Sequence, residues 1–204
     1  MIAIIDYGVG NIRAFINIYK KLDVPIKVAQ KAQDLEGATK LILPGVGAFD
    51  HAMQQLGESG MRQRLDELVI QNGIPVVGIC VGMQMLAHSS DEGKLPGLGW
   101  IDASVKKFDE SKIKYSTHLP HMGWNDITPI KNNPLLSQLE NDAKFYFLHS
   151  YYFQCNNDED SIATTDYGIE FSCAVNRGNI YGVQFHPEKS HQYGIQLLNN
   201  FSDL

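Results

Sequence analysis

Gly78-Ile79-Cys80-Val81-Gly82 is the segment that most narrows what this chain can fold into. The apolar run Pro75-Val76-Val77-Gly78-Ile79 reads as a strand covered on both faces, and Gly82-Met83-Gln84-Met85-Leu86-Ala87 reads as a helix. A strand that turns into a helix within one residue strains the backbone at the corner, so small residues are needed two positions away on either side. Gly78 and Gly82 meet that need, which makes the segment the thiol counterpart of the G-x-S-x-G nucleophile elbow. Free N–H groups at the start of the following helix favour a thiolate, and the backbone N–H of Val81 points at any oxyanion developing there. On the elbow alone, an inert buried thiol fits Cys80 about as well as a nucleophile does.

The rest of the first half alternates strand and helix. Ile2 to Ile5, Ile26-Lys27-Val28 and Leu41-Ile42-Leu43 read as strands, the third stopping at the turn Pro44-Gly45-Val46-Gly47. Ile12, Phe15, Ile16 and Tyr19 recur at i, i+3, i+4, i+7, the stripe of a helix that packs on a sheet. Met61, Leu65, Leu68 and Val69 mark a second helix that Gly73 ends. From about Trp100 to Tyr181 strands and loops prevail, at Ser104 to Phe108, Lys144 to Leu148, Tyr151 to Gln154, Ser161 to Thr165 and Ile180 to Phe185. Helical spacing returns at Gly194, Leu197, Leu198 and Phe201. The expected class is α/β, with an open, largely parallel central sheet flanked by helices and a smaller, strand-rich second half.

Composition bounds the setting. The 204 residues, 44% hydrophobic, suit a single domain over 1–204. A net charge of -6 argues against nucleic acid or an anionic membrane as the partner. No apolar run approaches the roughly 20 residues that span a bilayer. Met1 leads straight into Ile2 without a basic leader, and Cys80, Cys155 and Cys173 are too scattered for a disulfide framework. The expected location is the reducing cytoplasm.

A nucleophilic cysteine needs a base. Tyr181 to Phe185 reads as a strand ending in His186-Pro187-Glu188. In extended backbone, residues i and i+2 project to the same side, so Glu188 can orient the His186 ring and leave its other nitrogen for Cys80. His149, beside Ser150 and Tyr151, is the rival partner for the cysteine. His118 and His121 flank Pro120 in what reads as a loop and would need further ligands to hold a metal.

Taken together, Pro44-Gly45-Val46-Gly47, the Cys80 elbow with Gly82-Met83-Gln84, and Phe185-His186-Pro187-Glu188 resemble the ordered signature of the class I (triad) glutamine amidotransferases. Asp6-Tyr7-Gly8-Val9-Gly10-Asn11, Pro120-His121-Met122-Gly123-Trp124-Asn125 and Phe147-Leu148-His149-Ser150-Tyr151 extend the resemblance to the branch that serves a cyclase in histidine biosynthesis. It runs from Ile4 to about Phe201. It implies a flavodoxin-like fold, Cys80 as nucleophile, His186 as acid/base and Glu188 as its orienter. Val46 and Val81 become oxyanion positions, and glutamine is placed near Gly47, Gln84, Ser150 and Tyr151. No cofactor or metal is implied. The implied partner is a separate (β/α)₈-barrel cyclase in a heterodimer, which receives ammonia.

Asn11, Trp124 and Asn125 are the expected docking residues, since an aromatic among polar neighbours makes an interface anchor. A Trp124 packed in the core is the alternative. Val81 stands where leucine is more usual. The stretch Leu95 to Asp102, with His191 after Lys189-Ser190, resembles paralogues that supply ammonia for sugar amidation in bacterial surface polysaccharides. Outside this family, a DJ-1-like or peptidase-like protein or a non-catalytic module would also carry a cysteine elbow.

Overall fold

A computed structural model describes residues 1–114 and 118–204. Its first half is the alternation expected. Strand β1 (Ile2–Ile5) leads to α1 (Ile12–Lys21), β2 (Ile26–Ala29) and β3 (Lys40–Gly45). Helix α2 (Phe49–Glu58) follows, then α3 (Arg62–Asp66), which widens into a π turn at Glu67–Gln71. Next come β4 (Val76–Cys80) and α4 (Val81–Gln84).

The second half supplies β5 (Ser89–Ser90), β6 (Ala103–Lys107), β7 (His121–Asp126), β8 (Thr128–Pro129) and β9 (Lys144–His149). β10 (Tyr151–Cys155), β11 (Ser161–Asp166), β12 (Glu170–Arg177) and β13 (Ile180–Val183) complete the strands, and α5 (His191–Asp203) closes the chain.

Among the described residues one sheet of eleven strands runs β2-β1-β3-β4-β13-β12-β10-β6-β5, with β11 branching from β12 and β8 pairing with β11. β2, β1, β3, β4 and β13 are mutually parallel, and the sheet turns antiparallel from β13 to β12. β7 and β9 pair antiparallel as a second, small sheet. β1, β4 and β13 are buried along their length, as strands covered on both faces must be, whereas the edge strand β2 is half-buried. Phe15 and Tyr19 of α1 are fully buried, each worth roughly 2 kcal/mol of transfer free energy. The Tyr19 hydroxyl donates to the Leu198 carbonyl and ties α1 to α5. Met61, Leu65, Leu68 and Val69 are all buried, as are Gly194, Leu197, Leu198 and Phe201.

Four features depart from expectation. α2 falls where no helix was expected, although its buried Phe49, Ala52, Met53 and Leu56 repeat at i, i+3, i+4, i+7. β12, the longest strand, was not expected either. Cys173, Ala174 and Val175 are buried in succession, which removes the alternation that marks a half-covered strand. The segment after Pro120 is strand β7 rather than loop, because β9 lies alongside to take its hydrogen bonds. The elbow helix is shorter than expected: the carbonyls of Met85, Leu86 and Ala87 accept from Leu98, Ile101 and Gly99 instead of continuing the helical ladder. The Leu95 to Asp102 stretch is therefore the cap of the elbow. Among the described residues, no helix is long and apolar enough to cross a membrane.

Candidate active site

β4 delivers Cys80 at the carboxyl end of the parallel strands, the edge where open α/β sheets place ligands. Cys80 has φ 55° and ψ -114°, a left-handed conformation that a side chain adopts only under constraint. The surrounding backbones are too close for larger residues. A Cβ on Gly82 would lie 1.9 Å from the Leu43 carbonyl oxygen, and one on Gly78 would lie 2.6 Å from that of Gly82. Gly45, expected only as a turn residue, is part of the same packing: its Cβ would meet the Gly82 nitrogen at 2.4 Å.

His186 follows β13 and forms an isolated bridge to Tyr146 of β9, its N–H donating to the Tyr146 carbonyl. The Ser190 hydroxyl donates to the His186 carbonyl and accepts the Tyr146 N–H, clamping the segment at both ends. Glu188 is not in extended backbone as expected. Pro187–Lys189 forms a 3₁₀ turn, and the turn instead of the pleat brings the carboxylate under the ring. His186 Nδ1 donates to Glu188 Oε1 at 2.8 Å, both side chains buried. Glu188 Oε2 has no hydrogen-bond partner among the described residues, so the carboxylate acts on the imidazole alone.

Burial by itself would lower the His186 pKa, but hydrogen bonds to Cys80 and Glu188 and the charges of both outweigh it and push it up to about 10. The raised pKa favours the imidazolium form. A sulfur beside an imidazolium at a strained elbow can attack an acyl carbon, and the same imidazolium can protonate the departing group.

His149, the rival base, also lines the cavity but directs its ring nitrogens elsewhere. Its Nδ1 lies 2.7 Å from the Tyr151 carbonyl and its Nε2 lies 3.0 Å from His121 Nδ1, so neither nitrogen is free for Cys80. Burial, with the neighbouring His121, pushes its pKa down to about 3, and burial pushes that of His121 down to about 4. His121 is stacked between Phe147 and Tyr167, whereas His118 is exposed.

Above Cys80 opens a cavity of about 450 Å³. Val46, Gly47, Val81, Gln84, Ser150 and Tyr151 line it together with Cys80 and His186, while Glu188 sits behind the ring. Gly47 has φ +85°, which lets the chain turn over the mouth. Glu92 and Lys189 also line the cavity and were not anticipated. Glu92 accepts the Phe49 N–H at the start of α2, while Asp50 accepts the N–H groups of Lys94 and Leu95. That reciprocal lock carries Glu92 to the pocket, and nothing in its local sequence signals it.

The three expected docking residues lie outside the cavity. Asn11 is exposed at the start of α1. Trp124 is 48% exposed on β7, not packed in the core, and stacks face to face on His191 at 5.2 Å. The Asn125 amide lies 2.9 Å from the Asp166 carbonyl, to which it donates, and 3.3 Å from His121 Nε2.

The family model for glutamine amidotransferase class-I matches residues 3–203. A Bdellovibrio bacteriovorus protein named imidazole glycerol phosphate synthase subunit HisH is 59% identical over 204 residues, all of both chains. A Pseudomonas aeruginosa protein named imidazole glycerol phosphate synthase subunit HisH 2 is 46% identical over the same span, again all of both chains. The structure of PurLQS from Thermotoga maritima superposes with a TM-score of 0.75 at 16% identity, covering 99% of this chain and 97% of that one. A glutamine amidotransferase crystal structure from the same organism gives 0.66 at 17%, covering 99% and 82%; at such identities the two structures speak for the fold alone. By the family match along nearly its whole length and by relatives of this identity, the chain belongs to the class-I glutamine amidotransferases.

Proposed function

We propose that this chain is the cytoplasmic glutaminase subunit of an imidazole glycerol phosphate synthase. In this reading the 204 residues work as one domain, and ammonia from glutamine passes to a separate (β/α)₈-barrel cyclase. The observation that carries the chemistry is that Cys80 and His186 line one cavity, with Glu188 hydrogen-bonded to His186 Nδ1 behind the ring. The choice of acceptor is supported by the names of the full-length relatives.

Glutamine enters with its side-chain amide toward Cys80. The sulfur attacks the amide carbon, and the resulting oxyanion is held by the backbone N–H of Val81 and by the Val46 peptide across the mouth. His186 gives its proton to the nitrogen as the C–N bond breaks, releasing ammonia and leaving a glutamyl thioester. The neutral imidazole then takes a proton from water, whose oxygen attacks the thioester, and the C–S bond breaks to release glutamate and leave the Cys80 thiolate beside the imidazolium. Glu188 holds the ring and its charge throughout. At the far end of glutamine, Glu92 is the lining carboxylate suited to the α-ammonium, and Gly47, Ser150 and Tyr151 border the carboxylate. Gln84 completes the wall.

Ammonia free in water at neutral pH is mostly protonated and a poor nucleophile, so a docked acceptor is a chemical need. The surface beside the cavity suits one. Met122 opposes Leu148 and Trp124 opposes Tyr146 across the β7–β9 pair, so these side chains share a face. Met122 is 60% exposed, and Leu148 continues from this face into the cavity lining. Such a patch at the mouth is an interaction surface. A sugar-amidating synthase as acceptor would use the same chemistry, but the stretch that suggested it, Leu95 to Asp102, is accounted for by its bonds to the elbow.

Glutamate release is assayed with and without a histidine-pathway cyclase and its ligand. Stimulation by the cyclase that disappears in Cys80→Ala is expected. Release that survives Cys80→Ala refutes the mechanism, and release indifferent to the cyclase refutes the partner.

A further inference from the structure

Gln184 is fully buried, yet its carboxamide is not where packing alone would put a polar group. β13 runs parallel to β4 with Val183 level with Ile79, so one step further along each strand sets Gln184 beside Cys80. On the opposite flank, Gly45 is level with Cys80. The nucleophile therefore sits between the backbone that borders the oxyanion and the side chain of Gln184. Gln184 Nε2 lies 3.8 Å from Cys80 Sγ, within donor range for sulfur.

The orientation of this amide is fixed by its neighbours. Gln84 Nε2 donates to Gln184 Oε1 at 3.1 Å and to the Tyr151 carbonyl at 3.3 Å, using both of its hydrogens. A flipped Gln184 would set two NH₂ groups against each other and an oxygen against the sulfur. The Leu148 carbonyl lies 3.9 Å from Sγ and can accept only from the neutral thiol. The sulfur is thus offered an acceptor that suits S–H and a donor that suits S⁻. A leucine or methionine at 184 would fill the space without the cost of burying an amide.

We propose that Gln184 is a further catalytic residue, an amide donor that holds the Cys80 thiolate against the pull of the Leu148 carbonyl, and that Gln84 fixes its orientation. The inference deepens the glutaminase reading and rests on Cys80 being the nucleophile. The other titratable groups around the sulfur are His186, with Glu188 behind it, and Tyr7, whose hydroxyl donates to the Pro44 carbonyl. His149, Glu92 and Lys189 line the cavity above it.

The test is the pH dependence of Cys80 alkylation by iodoacetamide in the full chain, read by mass spectrometry of the Cys80 peptide. In Gln184→Met the midpoint is expected to rise by about one unit and the rate at neutral pH to fall about tenfold, the loss of one hydrogen bond to a charged group. With the cyclase present, kcat should fall by a similar factor while KM changes little. A folded variant with the wild-type alkylation profile overturns the proposal. Should Gln184→Met fail to fold, Gln84→Met frees the orienting end while leaving the donor to sulfur; a smaller upward shift supports the proposal and an unchanged profile overturns it. Wild-type glutamate release, measured in parallel, tests the glutaminase reading separately, since alkylation involves no glutamine.

Discussion

Acidification from pH 7 to pH 5 should destabilise this fold through His121 and His149. Both are buried, hydrogen-bonded to each other, and held neutral, with pKa values pushed down to about 4 and about 3 from an ordinary 6.5. The sign follows from linkage: between 6.5 and about 4 the unfolded chain binds protons at these positions and the folded chain does not. Stability is thus present above 6.5 and is lost as pH falls. Because the folded pair stays neutral at pH 5, the size of the loss is set by the unfolded histidines, about 1.8 kcal/mol each. His186 acts in the other direction, since its raised pKa contributes stability that is fully present below 6.5 and lost as pH climbs toward about 10. Over the same interval it returns roughly 0.8 kcal/mol, leaving a net loss of about 3 kcal/mol. Against a total of roughly 5–15 kcal/mol this is a large fraction. Urea unfolding at pH 7 and pH 5 should show the midpoint falling by about 1 M or more. His121→Asn/His149→Gln should abolish most of that fall. Equal midpoints in the wild-type chain, or an equal fall in the double variant, would refute the reasoning.

Two further outcomes follow from the geometry. Trp124→Ala should weaken binding to the cyclase by about 2 kcal/mol, near thirtyfold in Kd, with little change in the unfolding of the free chain, because the ring is half exposed on His191; unaltered affinity by titration calorimetry removes it from the interface. Gly82→Ala should cost more than about 3 kcal/mol, since the new methyl would stand 1.9 Å from a backbone oxygen of β3. A melting temperature within a degree or two of the wild type would show that the elbow can relax.

Cys80 as the corner of a strand-to-helix turn, the inward stripes of α1 and α5, and the buried parallel strands were all legible in the sequence. Each is a local pattern: small residues at fixed offsets, or apolar residues at a helical or strand period, within a dozen positions. The same locality explains the misses. β7 exists because β9 lies beside it, and no property of His121 to Asp126 taken alone announces a partner whose paired residues, from His149 to Lys144, lie in a separate stretch of the chain. β12 hides its period because both faces are covered at mid-strand. Sequence left both His149 and His186 open as partners of Cys80; in the structure the His149 nitrogens face His121 and the Tyr151 carbonyl. Glu188 reaches His186 through a turn whose geometry its residues did not specify. Glu92 and Gln184 arrive at the cavity and the sulfur from loops and strands distant in the chain, carried by the reciprocal cap on α2 and by the β4–β13 register. Sequence by itself determined where a nucleophile could stand, because the strained corner and the glycines that flank it lie within five residues. What holds its charge, takes its proton and frames its substrate was decided by tertiary structure, because electrostatics and hydrogen bonds act between side chains that only packing brings within reach.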